Sequence, residues 1–154
     1  MGRYYTTANN DFDGKFWFGV QPSDDPERVF GMKPTGGDES YTDYYLDDND
    51  SQSVMNELDK QFSKIGVPQD KRRYRFENAE EVGAYVWDEL CDYYLTEKVT
   101  KDVHGQPNIP WAMGDKTMYP KSTEKVLAAS RVSLGLRILN DIRKHGECQL
   151  NAEF

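Results

Sequence analysis

The sequence predicts an α+β fold in one domain, 1–154: a small, mostly antiparallel sheet led by an N-terminal hairpin, with about three helices packed chiefly on one face. Three observations predict it. Aromatic-rich segments near the N-terminus are separated by a turn-forming run, three later segments carry apolar residues at helical spacing, and 154 residues suffice for one real core but not two. Hydrophobic residues make up only 37% of the chain and its mean hydropathy is −0.85. Three Trp, ten Tyr and seven Phe nonetheless supply large buried areas, so the composition indicates an aromatic core and not disorder.

Arg3 to Thr7 is rich in Tyr and Thr and reads as a strand. Ala8 to Gly14 is dense in Asn, Asp and Gly and reads as a turn, and Lys15 to Gln21 returns as the second strand of a hairpin. Alternation along this return places Phe16, Phe18 and Val20 on one side and Trp17 and Gln21 on the other. Trp17 then either packs under a second layer or, beside Tyr5 or Tyr44, forms an aromatic platform on the back of the sheet.

Pro22 to Gly37 reads as a long loop. A helical turn opens at Ser23-Asp24-Asp25-Pro26-Glu27, and Phe30 and Met32 are placed to pin its middle to the core. Tyr41 to Leu46 reads as a third strand. The acidic run Asp47-Asp48-Asn49-Asp50 fails as a calcium loop: counted from Asp47, the sixth and twelfth places hold Gln52 and Leu58 instead of Gly and Glu. Asp50 or Ser51 is expected to cap a helix from Ser51 to Ile65, whose stripe is Met55, Leu58, Phe62 and Ile65 and whose stop is Gly66-Val67-Pro68.

Lys71 to Phe76 reads as a short strand and as the chain's one basic cluster, with Tyr74 and Phe76 facing one way and Arg73 and Arg75 the other. Asn78 caps the helix from Ala79 to Leu95, with Glu81 three residues on as in a capping box. Two apolar stripes on that helix, one through Val82, Val86, Leu90 and Tyr93 and one through Trp87, Cys91 and Tyr94, predict burial on two sides. Thr96 to Lys121 is irregular, broken by Gly and Pro, and carries His104, Asn108 and Trp111 in a composition common to binding loops and to core plugs. The last helix spans Thr123 to His145: Ser122 can cap it, Arg143, Lys144 and His145 suit its negative end, and Gly146 stops it. Its wide apolar surface suits a central core helix or, secondarily, a homodimer; Gly135 permits a close neighbour.

A formal charge of −8 disfavours nucleic-acid polymers, whose binding rests on Lys and Arg. No 18-residue apolar run and no leader pattern is present, so neither a membrane span nor secretion is expected and the cytoplasm is the expected compartment. Cys91, Cys148, His104 and His145 lack the spacing of a zinc site, and no cofactor is expected. Asp102 and His104 are the nearest approach to an acid–base pair, with no nucleophile motif beside them, which makes an enzyme the least favoured class. Arg73 and Arg75 either pair with acids of the same chain or grip a phosphate or carboxylate at the start of the following helix.

The opening Gly2-Arg3-Tyr4-Tyr5 and Gly14-Lys15-Phe16-Trp17-Phe18-Gly19-Val20-Gln21, followed by Ser23-Asp24-Asp25, resembles the N-terminus of small uncharacterised proteins of phages and large DNA viruses. The resemblance spans about 25 residues, carries no active site, and implies a small viral protein acting on a host component in the host cytoplasm. Two expectations follow. One is a non-enzymatic protein that sequesters a small anionic ligand such as a nucleotide, using Trp17, Arg73, Arg75, His104, Asn108 and Trp111. The other is an acidic interaction module or inhibitor that engages a host protein.

Overall fold

A computed structural model gives the fold and describes residues 3–9, 13–17, 21–95 and 123–153. In chain order it contains β1 (Tyr4–Thr7), β2 (Asp13–Lys15), α1 (Asp25–Arg28), β3 (Lys33–Gly37), β4 (Tyr41–Asp47), α2 (Ser51–Ile65), α3 (Ala79–Ala84), α4 (Thr123–His145) and β5 (Glu147–Glu153). Without a break, α3 runs on as a π-helical segment, Tyr85–Leu95. The fold is α+β, as the sequence predicts.

Every strand pairing is antiparallel, and the sheet order is β2-β1-β5-β4-β3. The middle strand, β5, was not expected from the sequence. It follows α4 at once because Gly146, at φ 78°, adopts the left-handed conformation that reverses the chain. In β5 Cys148, Leu150 and Ala152 are buried while Gln149 and Glu153 are exposed, the alternation of a strand covered on one face.

The covering layer is α4, which packs on β5 and is flanked by α2, α3 and the π segment. Tyr5, Tyr44 and Leu46 lie on the covered face with Cys148 and Leu150. The broad apolar surface of α4 is thus taken up within the chain. Residues 21–32 close one side of this core. Phe30 and Met32 are buried, as expected, and the Phe30 ring sits so close to Gly135 that a methyl group there would come within 2.5 Å of it. Asp25, fully buried, accepts two hydrogen bonds from the Arg131 guanidinium on α4, at 3.0 and 3.1 Å.

Five expectations need correction. The return strand of the hairpin ends at Lys15. Phe16 and Trp17 are both buried, which alternating sides of a half-covered sheet forbid, so the chain leaves the sheet there. Tyr5 and Tyr44 lie under the helices and not on the back. The stretch read as a long loop with one helical turn contains that turn as α1 but ends in the edge strand β3, exposed throughout and paired to β4 with a register break between Pro34 and Gly36. Residues 72–76, read as a strand, belong to no ladder: a 3₁₀ turn, Gln69–Lys71, leads into them, and side chains bond the carbonyls of Lys71, Tyr74 and Glu77 at their ends and middle. Finally, Asp50 occupies the N-cap of α2 without a side-chain bond; Asp47 instead caps the 3₁₀ turn Asp48–Asp50, accepting from the Asn49 N–H at 3.0 Å. Phe18, Val20 and Ser122 lie outside the described residues.

Candidate functional site

The basic residues of the extended segment meet the last turn of α4. Arg73, Arg75, Phe76 and Glu77 form one wall of a cleft of about 310 Å³, Asn140, Arg143 and Lys144 form the other, and Glu81 of α3 closes an end. Local sequence explains each wall. With Tyr74 half-buried and Phe76 buried, the extended backbone turns Arg73 and Arg75 outward to solvent. On α4, Asp141 and Ile142 are buried and leave the next two residues, Arg143 and Lys144, on the outer surface.

Hydrogen bonds fix the two walls to each other. Arg143 donates to the Tyr74 carbonyl and Lys144 to the Glu77 carbonyl, while the Tyr85 hydroxyl donates to the Lys71 carbonyl at 2.8 Å. These three bonds supply to residues 71–77 what a neighbouring strand would otherwise supply. Asn78 caps α3, its side-chain oxygen accepting from the Glu81 N–H at 2.8 Å. Glu81 reaches back and accepts from the Glu77 N–H at 2.6 Å, one residue earlier than in a standard capping box.

The electrostatics are uneven. Arg73 lies over the Phe76 ring, 4.6 Å from its centroid, and its guanidinium pairs with Glu81. The Glu77 N–H, and after it Arg73, hold the Glu81 carboxyl below the usual carboxylate range. Arg75, by contrast, makes no hydrogen bond or ion pair among the described residues. Arg143 sits below the ordinary arginine value, chiefly because partial burial strips water from it and next because Arg75 sets a second positive charge beside it. Arg143 nonetheless remains cationic at neutral pH.

Of the residues singled out in the sequence, Arg73 and Arg75 are brought together here. Trp17 is not with them. It is only 4% exposed and stacks on Trp87 of the π segment, ring centroids 4.8 Å apart and planes 13° from parallel, so the platform expected of it is corrected to a core contact. His104, Asn108 and Trp111, with Asp102, lie outside the described residues. Sequence reasoning missed Arg143 and Lys144, which it assigned to the helix dipole. The signal was present: Arg143-Lys144-His145 is a second basic run in a chain of net charge −8.

Elsewhere, the face of the sheet that no described helix covers holds a polar groove of about 440 Å³ where Asn151 donates to Asp43 at 2.8 Å. Cys91 and Cys148 are buried thiols outside any disulfide; burial, and then the neighbouring Asp141, push the Cys148 thiol well above its ordinary value, the condition of an unreactive cysteine. Among the described residues no group of three His, Cys, Asp or Glu could hold a metal ion, and no helix is long and apolar enough to cross a membrane. Compared with protein-family models, curated proteins and solved structures, the chain matches none significantly.

Proposed function

We propose that this chain is a non-catalytic binding protein that sequesters a small anionic ligand, such as a nucleotide, by seating the charged group of that ligand in the cleft between residues 73–77 and the end of α4. The observation that carries the reading is the pairing of Arg75 with Arg143. Two guanidinium groups share one cleft wall to wall, each raises the energy of the other, and among the described residues no carboxylate bonds to either. An anion seated between them removes that repulsion and gains charge-assisted hydrogen bonds from both. In a protein of net charge −8 such a local reversal of sign gathers anions that the remaining surface repels.

The N-terminal resemblance to viral proteins agrees with a role in withdrawing a host nucleotide. Trp17, being buried, is not the residue that stacks on a base. Calorimetric titration with nucleotides, inorganic phosphate and acetate tests the reading: saturable binding is expected, weakened by salt, and at least about tenfold weaker in R75A and in R143A. The ligand should be recovered unchanged. Recovery of an altered ligand rejects sequestration, and absence of any binding rejects the cleft.

A second reading, an acidic module that engages a host protein, is favoured by Tyr93. Expected on a buried stripe, its side chain is instead 68% exposed, beside Tyr94, Leu90 and Pro68 in a hollow of about 640 Å³ that Asp88, Glu89 and Lys71 also line. Exposed tyrosine beside two acids and one lysine, net negative, suits a partner that brings a basic group. Under this reading nucleotides fail to bind, and salt chiefly slows association with the partner.

A further inference from the structure

We infer that the cleft selects one terminal phosphomonoester over carboxylates, phosphodiesters and polyphosphates, and that Glu81 sets this choice by occupying Arg73 as an internal carboxylate; the inference rests on the anion-binding reading above. The argument starts from what each charged group is already doing. Arg73 is neutralised by Glu81, whose second oxygen is held by the Glu77 N–H. Arg75 is bonded to nothing described. Arg143 spends one amino group on the Tyr74 carbonyl and brings the other to the Met55 sulfur at 3.5 Å, a weak acceptor that a charged oxygen displaces. Lys144 spends one of its three protons on the Glu77 carbonyl.

Arg75, Arg143 and Lys144 therefore face one remaining carboxylate, that of Glu77, which leaves two positive charges unbalanced. A phosphomonoester carries between about 1.5 and 2 negative charges at neutral pH and has three terminal oxygens, one for each of these three cations. A carboxylate or a phosphodiester offers a single charge and two free oxygens. A diphosphate brings more charge than the cleft balances while Glu81 keeps Arg73, and its additional group falls beside Glu77 and Glu81. Volume agrees: about 310 Å³ lies at the small end of ligand pockets, enough for a phosphoryl head with the rest of the ligand outside.

The test titrates the full chain and E81Q with glycerol 3-phosphate, dimethyl phosphate, acetate and pyrophosphate at one ionic strength. Glutamine keeps an oxygen for the Glu77 N–H and removes the charge that holds Arg73, and circular dichroism of each protein controls for folding. In the unaltered chain glycerol 3-phosphate should bind tightest. In E81Q the affinity for pyrophosphate should rise about two- to fivefold relative to glycerol 3-phosphate, the range expected when one exposed ion pair is removed. Affinities that simply rise with ligand charge in the unaltered chain, or a ratio that E81Q leaves unchanged, would overturn the monoester selection while leaving an anion site standing. Failure of all four probes would overturn the anion site itself.

Discussion

The indole of Trp17 lies flat against that of Trp87, 4.8 Å between centroids, and so ties the end of the N-terminal hairpin to the π segment. Two large rings whose burial is mutual behave as core, and removing one leaves a cavity that the other cannot fill. Trp17→Ala should therefore cost about 3–5 kcal/mol and lower the melting temperature by roughly 6–20 °C. Trp17→Phe, which keeps a ring, should leave affinity for any phosphate probe unchanged. A thermal melt and a titration of both variants check this, and a large affinity loss in the Phe variant would return Trp17 to the binding site.

Asp25 and Arg131 form the deepest ion pair among the described residues, with the carboxylate almost wholly out of water. Arg131→Met leaves that carboxylate buried without its partner, and urea unfolding should show a loss of about 3–5 kcal/mol. The double variant Asp25→Leu with Arg131→Met removes both charges and should recover much of the loss. If the double variant is no more stable than the single one, the pair contributes through some route other than charge compensation.

The Tyr74 hydroxyl donates to Asp59, and its pKa is pushed up to about 12, first by burial and then by the hydrogen bond and charge of that carboxylate, with Arg72 opposing. The folded value exceeds the unfolded value of 10.0. The contribution is therefore fully present below about pH 10 and disappears as pH rises toward 12. The stability difference between the natural chain and Y74F should stay level to about pH 10 and shrink beyond it, and absorbance at the phenolate band should show Tyr74 ionising late. Parallel stability curves for the two proteins up to pH 12 would contradict the assignment.

How much of this was legible in the sequence depends on how locally each feature is encoded. The bounds of α2 and α4 could be read because periodicity, basic residues in the last turn and a terminal glycine agree over 15 and 23 residues, with Glu124 in the first turn of α4 besides. Phe30 and Gly135 could each be named, though not as partners. By contrast, β3 contains Pro34, Gly36 and Gly37, residues that strands avoid, and its pairing is provided by β4. The alternation in β5 was visible but short, and the preceding His145 and Gly146 drew attention to the helix end instead. At 72–76 the alternation was read correctly while the ladder was not, because a ladder depends on a partner elsewhere in the chain.

The candidate site divides in the same way. Arg73 and Arg75 sit two positions apart and announce themselves as a sign reversal in an acidic chain. Arg143 and Lys144 join them only because α4 crosses that segment, and nothing within a window of ordinary length connects position 75 to position 143. Glu81 was recognised as a helix-capping residue; its second role, on Arg73, follows from where the cap places its carboxylate.

Because β5 separates the β1–β2 hairpin from the β3–β4 hairpin, neither hairpin touches the other through backbone bonds. During synthesis both emerge from the ribosome long before residues 147–153, and each must wait as a two-stranded fragment, a form that is at best marginally stable alone. The five-stranded sheet accordingly cannot close until residues 147–153 are available, so the closing of the whole sheet depends on the one strand that both hairpins share.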